Sequence, residues 1–152
     1  MKKIILLVVL TIMGMSAYAS DTSGKALTMR TALKSYLQSE GYAPSIDSDG
    51  DIAFKYQGSN YYIICENWNN MVYVNIFSLL DIEGALMSKV RKAADEAQKG
   101  WKFVRINVNA KSASIAITMP AQSASDVKPV LGQFLSIIAN AKSDFKDNYN
   151  DE

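Results

Sequence analysis

Residues 46–79 read IDSDGDIAFKYQGSNYYIICENWNNMVYVNIFSL, and this stretch predicts three strands joined by two tight, polar turns. Apolar and polar residues alternate over residues 51–57, as expected for a strand with one buried face. Residues 61–66 are apolar on both faces, which predicts a central strand that is covered on both sides or borders a partner. Residues 71–79 form the third predicted strand.

The flanking sequence predicts helices and two further strands. Apolar residues recur every three or four positions over residues 28–40 and 81–99, which predicts helices, the first with Thr28 as N-cap and Gly41 after its end. Strands are predicted over residues 101–109 and 112–119, and a last helix from Ser125. The order α-β-β-β-α-β-β-α predicts an α+β domain over residues 28–142, a five-stranded antiparallel sheet packed with three helices.

The N-terminal residues have the pattern of a signal peptide. Lys2 and Lys3 precede an apolar run of about ten residues, and Ala17-Tyr18-Ala19 offers the small residues that signal peptidase reads. This run is shorter than the roughly twenty residues that span a bilayer, although an uncleaved anchor is the alternative. We expect cleavage after Ala19 and an exported protein, periplasmic or secreted, without stable membrane insertion.

Removal of residues 1–19 from the 152-residue chain leaves 133 residues, enough for one domain with a real core. Loss of Lys2 and Lys3 takes the formal net charge from +1 to −1, which argues against a nucleic-acid partner. Cys65 is the one cysteine, so no intramolecular disulfide can form. We expect a disordered lead-in at residues 20–27 and a frayed acidic tail at residues 143–152.

Three structural motifs resemble the YbjN-like family. They are the helix end Glu40-Gly41-Tyr42, the turn Asp49-Gly50-Asp51-Ile52, and the Gly58 hairpin that leads into Tyr61-Tyr62-Ile63. The family's fold is similar to that of type III secretion chaperones. The resemblance implies a small, non-catalytic interaction domain that often self-associates, here in an exported version.

The composition disfavours an enzyme. The chain has no histidine, which removes the commonest general base and the Ser-His and Cys-His nucleophile systems. Cys65 lies in an apolar strand, where a thiol usually behaves as a small buried hydrophobe. Enzyme activity would need carboxylate or tyrosine chemistry that no pattern locates. We therefore predict no catalytic residues and no cofactor.

Asp47, Asp49 and Asp51 begin a segment that resembles a calcium loop. An EF-hand requires glycine at position 6 and glutamate at position 12, whereas counting from Asp47 places Ile52 and Gly58 there. The segment is therefore predicted to be a turn that leads into a strand. Weak cation or small-ligand binding by these carboxylates remains the alternative function.

The aromatic residues of the strands suggest a surface for a partner. Strands that are apolar on both faces carry more apolar surface than three helices can cover, and large exposed apolar patches mark interaction sites. The leading hypothesis is an envelope protein-interaction or chaperone-like module, with a protein partner that could be a second copy in a homodimer. The candidate surface residues are Tyr61, Tyr62, Trp68 and Tyr73.

Overall fold

The computed structural model describes residue 21 and residues 23–150, so the predicted signal peptide lies outside the described residues. In chain order the elements are α1 (Gly24–Ser39), β1 (Ser45–Ile46), β2 (Ile52–Tyr56), β3 (Ser59–Trp68), β4 (Met71–Asp81), α2 (Met87–Lys99), β5 (Arg105–Val108), β6 (Ser112–Ala121) and α3 (Ala124–Asn150). They form one antiparallel sheet in the order β1-β2-β3-β4-β6-β5 with three helices, which confirms the predicted α+β class.

The sheet has six strands where five were predicted. The additional strand, β1, is two residues long and pairs with β2 through Ser45 opposite Ala53 and Ile46 opposite Ile52. Both of its residues are exposed, so no alternation of apolar and polar residues marks it in the sequence.

Strands β2, β3 and β4 form a continuous meander whose register is set by two short turns. Tyr56 pairs with Ser59 across Gln57 and Gly58, whose φ angles are both positive, at 46° and 75°. Positive φ at both central residues is typical of the type I′ turn, whose twist matches that of a hairpin. At the next turn Trp68 pairs with Met71. This register decides which side chains share a face.

All three helices lie on one face of the sheet. Alternate residues of β4 are buried, and these are the residues that pack with α1 and α3 in the main core. A second apolar cluster joins α2 to the end of α3 and to β5 and β6 through Val90, Ala94, Ala113 and Phe145. The opposite face of the sheet therefore has no helix over it among the described residues.

Several predicted boundaries were wrong because local contacts decide them. Helix α1 begins at Gly24, and Thr28 lies one turn inside it, where its hydroxyl donates to the Gly24 carbonyl at 3.4 Å. Helix α2 begins at Met87 instead of residue 81. Strand β5 begins at Arg105, four residues later than predicted. Helix α3 begins at Ala124, so Ser125 is not its N-cap.

The segments expected to be disordered are tied to the domain by specific contacts. The Asp21 backbone N–H donates to the Cys65 carbonyl at 2.9 Å, and the Asn67 backbone N–H donates to the Asp21 carboxylate at 2.6 Å. At the other end a frayed tail was predicted from residue 143, but α3 continues to Asn150. Phe145 packs in the second apolar cluster with 3% of its surface exposed, and this contact holds the end of α3 on the domain. No helix in residues 23–150 is long and apolar enough to cross a membrane.

Candidate interaction surface

The face of the sheet that no helix covers carries a band of aromatic and apolar side chains. Because side chains alternate along a strand, residues 62, 64, 66 and 68 of β3 and residues 71, 73, 75 and 77 of β4 point to this face. We call it the helix-free face, and define it by the following residues: Tyr62, Ile64, Glu66, Trp68, Met71, Tyr73, Asn75, Phe77, Ala116 and Thr118.

Two aromatic pairs stand on β3 and β4 of the helix-free face. Tyr62 and Phe77 are direct partners in the register, and their rings are stacked with centroids 5.2 Å apart and planes at 22°. Trp68 and Tyr73 are diagonal neighbours, with ring centroids 4.6 Å apart and planes at 33°. Cross-strand aromatic pairs stabilise a sheet, so each pair holds its rings in a fixed arrangement before any partner arrives.

These rings remain accessible. Trp68 is 46% exposed, and Tyr62, Tyr73 and Phe77 are each partly exposed. Ile64 lies between the two pairs and is 7% exposed, so the smaller apolar residues form the floor of the band. Aromatic residues are enriched at protein interfaces, and the buried centre of an interface is more apolar than its rim, so this arrangement suits a partner surface.

The aromatic band continues into a groove at the β5 margin. A depression of about 490 Å³ is lined by residues that include Tyr73, Lys102, Phe103 and Arg105. Phe103 is 77% exposed, the largest exposure among the large exposed hydrophobic residues of the described chain. Sequence reasoning missed Phe103, because residues 101–109 were read as one strand. Its signal would have been an aromatic residue next to Lys102, shortly after the glycine that ends the predicted helix.

Charged residues lie on both sides of the aromatic rings. Lys102 and Arg105 line the groove beside β5. Glu66 lies on β3, which β4 and β6 separate from β5, and Asp21 and Asp51 are near it. Burial, followed by the charges of Asp21 and Asp51, raises the pKa of the Glu66 carboxyl. The face therefore carries Glu66 on one side of the aromatic rings and Lys102 and Arg105 on the other. Lys55 of β2 adds an exposed basic side chain beyond β3.

The four predicted surface residues do not all lie together. Tyr61 points to the helices, is 1% exposed and packs its ring on Phe54 and Tyr56, so it belongs to the core. Tyr62, Trp68 and Tyr73 are on the helix-free face, and Trp68 and Tyr73 are in contact. Tyr62 pairs with Phe77 instead.

The acidic segment at residues 47–51 is an ordered turn. The Asp47 side-chain Oδ1 accepts from the backbone N–H groups of Asp49 at 3.0 Å and Asp51 at 2.9 Å. The Arg30 guanidinium donates to the Gly50 carbonyl at 2.6 Å, which fixes the turn against α1. Within residues 23–150 there is no group of three or more His, Cys, Asp or Glu side chains placed to hold a metal ion.

Cys65 points into the core beneath α1 and is fully buried. Burial raises the pKa of the Cys65 thiol to about 12, since the nearby Arg30 charge lowers it less than desolvation raises it. A thiol with this pKa is almost entirely protonated at neutral pH. It is therefore a poor nucleophile.

Comparison with known proteins finds matches among solved structures. No family model and no curated protein matches the chain. The crystal structure of YbjN from E. coli, a proposed transcription regulator, matches with 7% sequence identity and a TM-score of 0.48, over 78% of this chain and 87% of that one. YbjN bears the name of the family that the sequence motifs resemble.

Proposed function

We propose that the chain is a non-catalytic protein-interaction or chaperone-like module of the cell envelope, and that the helix-free face is its binding surface. The observation that carries the proposal is the band of partly exposed aromatic rings on that face, set in two fixed pairs over an apolar floor. Tyrosine and tryptophan dominate binding energies at protein interfaces because they bury a large area with few rotatable bonds.

The charge pattern favours a second copy of the chain as the partner. In a two-fold symmetric dimer each surface patch meets its own copy in the opposite orientation. With the two-fold axis parallel to the strands, Glu66 would face Lys102 and Arg105 of the other copy. Such complementarity sets the register and the rate of association.

A non-catalytic role agrees with the chemistry of the chain. It has no histidine, and its one thiol is buried with its pKa raised to about 12. The location in the envelope rests on the leader at residues 1–19.

Sedimentation velocity of protein purified from cells that express the full chain tests this proposal. We expect a reversible dimer whose dissociation constant rises at least about tenfold in Trp68→Lys, because a charge at an aromatic anchor opposes its burial. Leu86→Lys is the matched control, since Leu86 is 61% exposed and lies before α2, away from this face. A wild-type protein that stays monomeric at high concentration, or equal weakening in both variants, contradicts self-association through this surface.

A further inference from the structure

A buried lysine on the helix-covered side of the sheet lacks a carboxylate partner. Lys142 is 8% exposed, and its Nζ donates to the Ser78 hydroxyl at 3.1 Å and the Leu79 carbonyl at 3.5 Å. Lysine is almost never buried to this extent unless it is paired. No ion pair joins Lys142 to an acidic side chain among residues 23–150.

A second lysine adds to the positive charge at this position. Lys146 follows Lys142 by one helical turn, so both side chains lie on the same side of α3. Like charges at this spacing destabilise a helix. Asp144 does not compensate them, because it lies on another side of α3 and accepts from the Trp101 indole N–H at 2.9 Å.

Both lysines open onto a small polar pocket between α3 and the β2–β3 hairpin. The pocket has a volume of about 200 Å³, and its other lining residues include Tyr56, Ser59 and Ser143. None of the residues that line it is acidic. Two lysines and several hydroxyl-bearing residues line this one space, and the Lys142 ammonium has a third N–H beyond the two that it donates to Ser78 and Leu79. Lysine ammonium and hydroxyl groups are the donors that bind an anion.

We propose that this pocket binds a phosphate group. Two lysine charges match the charge of about −1.5 to −2 that a phosphate monoester carries at pH 7, and its several oxygens can accept from lysine and hydroxyl donors together. The pocket is smaller than the roughly 300–1,000 Å³ of sites that enclose a whole drug-sized ligand. It therefore takes the phosphate itself, as the free ion or as the end group of a larger molecule such as a lipid.

Calorimetric titration with sodium phosphate, supported by thermal melting against sodium chloride at equal ionic strength, tests the site. We expect saturable phosphate binding that chloride and acetate do not reproduce. The dissociation constant rises at least about tenfold in Lys142→Met and in Lys146→Gln. The exposed Lys146 makes the second variant safe for folding, should the first one perturb the core. Lys111→Gln, at the exposed β5–β6 turn, removes an equal charge and should bind as the wild type does.

Short-chain phosphatidic acid, titrated in the same way, identifies the source of the phosphate. Competition between this lipid and phosphate supports a lipid end group, and binding of phosphate alone supports the free ion. Identical melting curves in phosphate and chloride overturn the proposal. Equal binding of acetate, or equal affinities in all three lysine variants, overturns it as well.

Discussion

The side chain of Asn67 links the start of α1 to the end of β3, and its removal should cost measurable stability. Its Oδ1 accepts from the Ala26 backbone N–H at 2.9 Å, and its Nδ2 donates to the Ser23 carbonyl at 3.0 Å. Ser23 is the N-cap of α1 but makes no side-chain capping bond. Asn67 therefore performs, from 41 residues away, the capping that a serine hydroxyl usually provides.

The expected cost of Asn67→Ala follows from these two bonds. Each net hydrogen bond contributes about 0.5–1.5 kcal/mol, and loss of an N-cap side chain costs about 0.5–2 kcal/mol. Water can reach the released Ser23 carbonyl, because Ser23 is exposed. We therefore expect the free energy of unfolding to fall by about 1–2 kcal/mol, a substantial part of the 5–15 kcal/mol typical of a domain.

Urea unfolding followed by circular dichroism measures this change. Asn70→Ala is the matched control, because Asn70 is an exposed asparagine three residues away whose backbone carbonyl, and not its side chain, accepts from Lys25. We expect it to stay within about 0.5 kcal/mol of the wild type. Equal stability of the two variants would refute the assignment of Asn67 as the cap of α1.

Three further predictions test buried groups and the acidic turn. Cys65 should react far more slowly with a thiol reagent at pH 8 in the folded protein than in urea. Because the pKa of the Cys65 thiol is raised from 9.0 to about 12, its contribution to the free energy of unfolding is present below pH 9 and falls by up to about 1.4 kcal/mol per pH unit above pH 9. A Cys65→Ala variant whose stability declines equally above pH 9 contradicts this. Burial, followed by the charge of Lys146, lowers the pKa of Lys142, so the wild type should gain stability relative to Lys142→Met as the pH rises towards 10.5. A stability difference that stays constant with pH in urea unfolding is the contrary result. Asp47→Ala should lower the free energy of unfolding by about 1 kcal/mol and Asp47→Asn by much less, because the amide oxygen still accepts from the backbone N–H groups of the turn. Calcium should leave the melting temperature of the wild type unchanged, and a calcium-dependent rise would support cation binding by the acidic turn.

The sequence predicted the meander well because its strands alternate in a regular way. The period of two separated the faces of β4, and the polar turns marked its ends. Tyr61 and Tyr62 could not be assigned to their faces with the same ease, because β3 is apolar on both sides and gives no contrast between them. One residue of register decides that Tyr61 is core and Tyr62 is surface.

The features that the sequence could not show depend on distant contacts. The start of α1 is fixed by Asn67, far along the chain, so local capping signals pointed to Thr28 instead. Strand β1 exists because β2 offers it a free edge. The exposure of Phe103 depends on where β5 begins, and residues 101–109 have the same apolar pattern whether or not Phe103 is paired.

Photo-crosslinking from the helix-free face tests whether two copies of the chain meet through this surface. A benzophenone amino acid replaces Tyr73 in one protein and Tyr149 in another, and both full chains are irradiated in the cells that express them. Tyr73 lies in the aromatic band, whereas Tyr149 is partly buried in α3 on the helix-covered side. We expect a product of twice the chain's mass from position 73 and none from position 149. No product from position 73, or equal products from both positions, would contradict it.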